Sequence, residues 1–458
     1  MEAGLSNILI LGSGLSGCAA AELAVQEGHQ VTMLDEADEP ACPDRVQSLL
    51  AREVEVYLGW NQTTWKDRVD TVIISPGIPP ESRLAKVARS LPCPTISELE
   101  FGFRHCSCPV LAVTGTNGKS TTVELVTHCL NYIGRPAVSA GNIGVPLCDA
   151  VRKSGEADFM SVEVSSFQLE RVELFAPLVA ALLNLTPDHL DRYPDTEHYF
   201  AAKMRLFSNM KRQEKIVLRH DLLESPVVLG ALPPGGRPIT FAARNAAYAN
   251  LFMNDDGVLC WRHKGHVTDL LEYSDVRLRG RHNVENILAA MAICWAGGIE
   301  PLEVAGAVKT FAPYPHRLEL VAVRDGIKCI NDSKATNPDA LARALEAVGE
   351  DRSGRILLIA GGLDKGVTFG DLNPLLRRYV KEVFLIGQCR EKLAKCWRDS
   401  VPCKMFASMT AAVDAALESA CYGDTVLLSP GCASQDMFEN YAARGESFTA
   451  LIKKNLGE

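Results

Sequence analysis

The 458-residue sequence has no apolar run of the roughly 18 residues a membrane-spanning helix requires, and no Cys-x-x-Cys pair. The first absence sets the expectation of no membrane insertion. The second, with an odd total of 15 scattered cysteines, argues against a disulfide scaffold and for reduced thiols in a cytosolic protein. Cys106 and Cys108 stand two apart in a loop, a spacing too sparse to specify a metal, and read as solvent-accessible structural thiols. Basic residues are outnumbered, 47 Lys and Arg against 56 Asp and Glu, and the net charge of −9 argues against a broad nucleic-acid footprint. The N-terminus has no basic segment ahead of a long apolar core, so no leader is expected and the localisation is read as cytoplasmic. Low-complexity segments and internal sequence repeats are also missing. The expected partners are small-molecule substrates, and the chain is read as a monomer.

What is present is ordinary globular material, 47% hydrophobic and 22% charged. The length predicts two to four domains at roughly 100–200 residues each. Three sections emerge, 1–98, 99–311 and 312–458. In the first, Asn7–Leu11 (NILIL), Val31–Leu34 and Thr71–Ile74 are short apolar runs ending at Gly, Asp or Ser-Pro-Gly, with a helical stretch over Gly17–Glu27. The second repeats the theme with strands at Val110–Val113, Phe159–Val164 and Val179–Leu185, and helices at Lys119–Tyr132 and Asn283–Trp295. Residues 211–280 suggest a small antiparallel insert. The third section carries strands at Lys328–Asn331, Ile356–Ala360, Val383–Ile386 and Thr425–Leu428. Strands alternating with helices predict α/β domains built on parallel sheets.

Chemistry concentrates where these strands end. Gly115-Thr116-Asn117-Gly118-Lys119-Ser120-Thr121 follows one strand and opens a helix, the setting a phosphate loop needs. Its amides and helix N-terminus supply positive potential, Lys119 suits the β/γ-phosphates of ATP, and Ser120 or Thr121 suits Mg2+. Val113 stands where the general pattern has its first glycine. Gly12-Ser13-Gly14-Leu15-Ser16-Gly17 followed by Asp35 matches a dinucleotide fingerprint, and a UDP pyrophosphate satisfies it as well as NAD does.

Glu163 ends a strand beside the phosphate loop, as either a magnesium ligand or a partnered core carboxylate. Asn184-Leu185-Thr186-Pro187-Asp188-His189-Leu190-Asp191-Arg192 places two carboxylates and an imidazole in one loop, where His189 binds metal, orients substrate or simply belongs to a helix cap. Lys203 has the pattern of a solvated helical lysine. In the third section, His316-Arg317 offers an arginine for a transferring γ-phosphoryl group. Asn331-Asp332-Ser333-Lys334-Ala335-Thr336-Asn337, Gly361–Lys365 and Ser429–Ser434 offer further ligand loops.

In motif order over nearly the whole chain, this sequence resembles the Mur ligase family. Gly115–Thr121, Ser165-Ser166-Phe167-Gln168-Leu169-Glu170, Asp188-His189-Leu190-Asp191-Arg192-Tyr193, Gly280-Arg281-His282-Asn283 and Asn331–Asn337 carry the resemblance. The Ser-Ser-Phe-Gln-Leu-Glu segment points to the branch that adds D-glutamate.

The resemblance implies three domains: a Rossmann-like one for the UDP end of the substrate, a central phosphate-loop ATPase type for ATP, and a C-terminal Rossmann-like one for the amino acid. It implies ATP-dependent joining of D-glutamate to UDP-N-acetylmuramoyl-L-alanine through an acyl phosphate, in peptidoglycan precursor synthesis. Leu15, Ser16, Asp35, Gly77 and Asn142 would hold the UDP substrate. Gly115–Thr121, Asn286, Arg317, Asp332 and Lys334 would hold ATP. Thr336, Lys365, Ser434 and Tyr441 would hold D-glutamate. Two Mg2+ sites would use Ser120, Glu163, His189 and a carbamylated Lys203, and Lys119, His189, Lys203 and Arg317 would be catalytic. The rivals are a sister ligase adding another amino acid, a folylpolyglutamate synthetase, an NAD-dependent oxidoreductase and a non-catalytic nucleotide switch. The oxidoreductase leaves Lys119 and the Asp332–Asn337 loop without work.

Overall fold

A computed structural model of the chain describes all residues except 1–5, 143, 154, 156, 191, 212–214, 279, 313–314, 350–353, 366 and 457–458. Asp191 of the motifs above therefore lies outside the described residues. Apolar runs too short for helices pair as parallel strands, and helices on the faces bury them from both sides.

The first sheet contains β1 (Asn7–Leu11), β2 (Gln30–Leu34), β3 (Glu55–Tyr57), β4 (Thr71–Ile74) and β5 (Thr95–Ser97), in the order β3-β2-β1-β4-β5. All its pairings are parallel, and Leu11 of β1 is level with Leu34 and Ile74.

The second sheet contains β6 (Val110–Thr114), β7 (Ala137–Gly141), β8 (Phe159–Glu163), β9 (Val179–Leu182), β10 (Lys215–Arg219), β11 (Ile239–Ala242), β12 (Leu251–Met253), β13 (Val258–His263) and β14 (His266–Glu272). Its order is β14-β13-β12-β11-β10-β9-β6-β8-β7. Residues 211–280 are thus no separate antiparallel insert. β10 joins β9 in parallel and β11 and β12 continue in parallel, so the segment widens the central sheet. β13 turns back, antiparallel to β12.

The third sheet contains β15 (Glu319–Arg324), β16 (Ile327–Asn331), β17 (Ile356–Gly361), β18 (Val380–Ile386), β19 (Cys403–Met405) and β20 (Thr425–Leu428), in the order β15-β16-β20-β17-β18-β19. β15 is an antiparallel edge strand and the other pairings are parallel.

The chain divides into two compact units. The first comprises Met1–Leu185, Glu197–Leu271 and Asn286–Val308; the second comprises Thr186–Thr196, Glu272–Glu285 and Lys309–Glu458. The first unit holds the first two sheets. Between them sit helices Leu15–Gln26, Glu98–Arg104 and Leu147–Lys153. Phe101 and Cys148, from the latter two helices, complete the apolar core under β1 and β2. Around this contact Arg45 pairs with Glu22 at 2.7 Å and Asp149 at 2.8 Å, and Arg152 bonds the same two carboxylates. No helix among the described residues is long and apolar enough to cross a membrane.

Glu100 anchors a bend in the first unit. Its fully buried carboxylate accepts from the amides of Glu173, Leu174 and Phe175 at 2.9–3.1 Å and from Arg104 Nε at 2.7 Å. Glu100→Ala leaves three amides and a guanidinium short of an acceptor. It should destabilise this unit by about 3–5 kcal/mol, seen as a lower urea midpoint; a midpoint equal to that of the parent chain would discount the anchor.

Candidate active site

β6 is buried along its whole length between β8 and β9, and it delivers the chain into Gly115–Thr121. Gly118 caps the helix Lys119–Tyr132 with φ 85°, and a Cβ there would lie 2.3 Å from Asn286 Oδ1, so the position requires glycine on both counts. The side chain of Asn184, just past β9, fixes the loop. Its Oδ1 accepts from the amides of Thr116 (3.0 Å) and Asn117 (2.9 Å), and its Nδ2 donates to Asn117 O (3.0 Å). Lys119 Nζ donates to the carbonyls of Gly115 and Thr116, both at 2.9 Å, folding its charge back over the loop.

Lys203 is not the solvated lysine its helical pattern suggests. It is 2% exposed, donates to Gly115 O at 2.9 Å, and lies 4.7 Å over the ring of Tyr199, whose hydroxyl donates to Thr116 Oγ1. The carbonyl of the phosphate loop gives this ammonium an acceptor in the interior.

Glu163 ends β8 and is 2% exposed. Ser120 Oγ donates to its Oε2 at 2.5 Å and Asn142 Nδ2 to its Oε1 at 3.3 Å. A carboxylate and a hydroxyl in contact, at the mouth of a loop of amides, are the hard oxygen donors magnesium selects, so the residues fit that ion. Asn286 is tied to the same helix by Thr122 Oγ1 at 3.5 Å.

In the first sheet, Gly17 packs so tightly that a Cβ would fall 1.9 Å from Gly12 O. Asp35, past the end of β2, accepts from Ser13 N and Ser13 Oγ, both at 2.6 Å, and from Ala37 N. Leu15 begins its helix 56% exposed beside Ser16, and Gly77 follows β4. β1 has β2 on one side and β4 on the other, so this carboxyl edge is the point where the strand order reverses, where open α/β sheets bind ligands.

The second unit carries the remaining residues. Asp188 Oδ2 accepts from Asn337 Nδ2 at 3.0 Å. Burial pushes the Asp188 carboxyl up, but His189, Lys365 and these hydrogen bonds outweigh it and hold the group below its ordinary range. His189 has a left-handed backbone, φ 54°, and so do His316 (φ 64°) and Leu318 (φ 46°) on either side of Arg317. Lys334 Nζ sits 3.7 Å over the ring of Tyr441. Ser434 is 1% exposed, and its Oγ has no hydrogen-bond partner among the described residues. Thr336 and Lys365 lie in the loops after β16 and β17.

Asp332 is buried. Burial pushes its carboxyl up to about 7, against the pull of Ser429 Oγ (2.9 Å), Leu318 N (3.2 Å), Arg317 and Arg444. Arg444, 1% exposed, clamps two ligand loops. It donates to Ser333 Oγ, Ser333 O, Cys432 O and Ala433 O at 2.7–3.2 Å, and Ser333 Oγ in turn donates to Tyr441 O.

Residues 6–96, 113–294 and 316–432 match, in turn, the Mur ligase MurD-like N-terminal domain, the Mur ligase middle domain and the Mur ligase glutamate ligase domain. The chain is 36% identical to the UDP-N-acetylmuramoylalanine--D-glutamate ligase of Caldanaerobacter subterraneus subsp. tengcongensis over 99% of both chains. The chain belongs to the Mur ligase family. Relatives of the same name from Caldicellulosiruptor bescii (37% identical, 98% of each chain) and Geobacter metallireducens (35%, 99% of this chain and 98% of the other) agree. Among solved structures, Thermotoga maritima MurC has a TM-score of 0.61 at 18% identity, covering 98% of this chain and all of that one. Thermotoga maritima MurF in complex with ADP has a TM-score of 0.60 at 16% identity, covering 100% of this chain and 97% of that one. The α/β fold with N-terminal, middle and C-terminal Mur ligase regions is therefore the expected one, and the chain is an ATP-dependent ligase.

Sequence reading missed Asn184, Tyr199, Asn337 and Arg444 as site residues. Asn184 and Asn337 lay inside quoted motifs, and their position after a strand was the available signal; nothing in the local pattern marked Arg444.

Asp332 gives a pH test. Its folded value of about 7 exceeds the ordinary 3.8, so its contribution to stability is full below about pH 3.8 and declines until it is gone above about pH 7. Asp332→Asn should flatten the stability profile across that window by up to about 4 kcal/mol. Parallel profiles for the two proteins in denaturant titrations from pH 4 to 8 would refute this.

Proposed function

We propose that this ligase joins D-glutamate to UDP-N-acetylmuramoyl-L-alanine with hydrolysis of ATP to ADP and phosphate, in the cytoplasm and as a monomer acting on small molecules. The reading is carried by similarity to ligases of that name along 98–99% of the chain. Lys365, in the loop after β17, and the buried hydroxyl of Ser434 suit a small dicarboxylate.

In this reading the domains are 1–98 for the UDP end, 99–311 for ATP and 312–458 for the amino acid. Leu15, Ser16, Asp35, Gly77 and Asn142 hold the UDP substrate. Gly115–Thr121, Asn286, Asp332 and Lys334 hold ATP, with Arg317 on the γ-phosphate. Thr336, Lys365, Ser434 and Tyr441 hold D-glutamate. Ser120 and Glu163 would hold Mg2+, with His189 and a carbamylated Lys203 as further metal ligands; the ion supplies positive charge between reacting anions.

The alanyl carboxylate attacks the γ-phosphorus, ADP leaves, and an acyl phosphate forms. The D-glutamate amine then adds to the acyl carbon, and the tetrahedral intermediate expels phosphate. Lys119 moves from the loop carbonyls to the transferring phosphoryl oxygens, and Arg317 offsets the charge that develops there. The glycines of the phosphate loop let its backbone amides approach the phosphate oxygens.

Phosphate release with UDP-N-acetylmuramoyl-L-alanine and a panel of amino acids tests this directly. D-Glutamate should be the amino acid that drives turnover; turnover driven by another would overturn the substrate while sparing the ligase. Lys119→Ala should lower kcat by at least about 10³-fold. Retained turnover in that variant would remove the phosphate loop from the chemistry. A carbamylated Lys203 predicts activity that rises with added bicarbonate, and a flat response would count against the carbamate.

A further inference from the structure

The loop between helix Glu98–Arg104 and β6 holds two thiols that the ligase chemistry does not use. Cys106 Sγ and Cys108 Sγ stand 3.8 Å apart, and Cys106 Sγ also donates to Cys108 O at 3.3 Å. Both side chains are half-buried, within reach of solvent, whereas Cys18, Cys129, Cys148, Cys294 and Cys329 are buried in the cores. The loop is tied at both ends. His105 N and Cys106 N donate to Gly102 O and Phe103 O, and Pro109 O accepts from Met160 N at 2.9 Å. At 3.8 Å the two sulfurs are about 1.8 Å beyond disulfide bonding distance.

We propose that Cys106 and Cys108 form a thiol–disulfide exchange site, in which Cys106 attacks a low-molecular-weight disulfide and Cys108 resolves the adduct into an intramolecular Cys106–Cys108 disulfide. The Cys106 thiolate attacks one sulfur of the disulfide RSSR and expels RS⁻, leaving a Cys106–SR mixed disulfide. Cys108 gives its proton to the departing RS⁻ and attacks Cys106 Sγ, expelling the second RS⁻, which takes a proton from water. The dithiol loses two electrons and two protons, and RSSR becomes two RSH.

The division of labour follows from the contact. The sulfur–sulfur hydrogen bond, donated by Cys108 and accepted by Cys106, holds the Cys106 thiol below its ordinary range and lifts that of Cys108 above it. Burial pushes the half-buried thiols of Cys93, Cys396 and Cys403 up instead. Cys106 thus keeps a larger thiolate fraction near neutral pH than those rivals. A metal would need more donors, and no group of three or more His, Cys, Asp or Glu able to hold one occurs among the described residues.

The test uses the reduced full-length chain and oxidised glutathione at pH 7.5, with acid quenching, digestion and mass spectrometry over time. The peptide spanning Cys106 and Cys108 should lose two hydrogens before exposed Cys421 gains glutathione, and dithiothreitol should restore it. Cys108→Ser should accumulate glutathione on Cys106, while Cys106→Ser should slow modification of the loop at least about 10-fold. Three results would each overturn the proposal: a loop peptide still reduced after Cys421 has reacted, no adduct on Cys106 in Cys108→Ser, or equal loop reactivity in the two variants.

Discussion

One buried amide decides the shape of the nucleotide loop. Asn184 accepts from two consecutive amides of that loop and donates to a carbonyl within it, so the backbone after β6 is fixed by a residue beyond β9. Everything nearby depends on that curl. It turns the carbonyls of Gly115 and Thr116 toward Lys119, and that of Gly115 toward Lys203 as well. It also brings Ser120, in the first turn of the following helix, against Glu163. The charged groups of the site have protein partners: loop carbonyls accept from Lys119 and Lys203, and Ser120 and Asn142 donate to Glu163.

The second unit solves a related problem with a buried cation. Arg444 has its guanidinium in the interior, satisfied by two carbonyls and a hydroxyl-carbonyl pair from separate loops. Burial costs it enough to bring its pKa down to about 10. In exchange, the loops after β16 and β20 are held at fixed spacing. Burial raises the Asp332 carboxyl beside them, so the loop after β16 carries less than its full formal charge at neutral pH.

Much of this was legible in the sequence because parallel strands buried on both faces are continuous apolar runs that stop at their ligand loops. Asn7–Leu11, Thr71–Ile74 and Thr425–Leu428 read off with their limits, and Lys119–Tyr132 did so as a helix. Edge strands of three residues, such as Glu55–Tyr57 and Cys403–Met405, carry too few residues for a period to show. The widening of the central sheet by β10–β12 was hidden for a different reason. Whether a short run pairs in parallel or antiparallel fashion is set by where the intervening chain returns, which local pattern does not encode. Lys203 is the sharpest case. A lysine in a helix reads as solvated, and its burial here rests on long-range partners that include a carbonyl 88 positions away, together with the ring of Tyr199.

The seam between the first two sheets has a practical meaning for recombination. Cys148 lies in the stretch that matches the middle domain and Phe101 between that stretch and the N-terminal match, yet both fill the core beneath β1 and β2, and Arg152 shares Glu22 with Arg45. The N-terminal region is therefore not a cassette that ends at residue 96. A chimera that exchanges it between relatives must carry helices Glu98–Arg104 and Leu147–Lys153 along as part of the same block, or redesign the apolar floor and its ring of charges together.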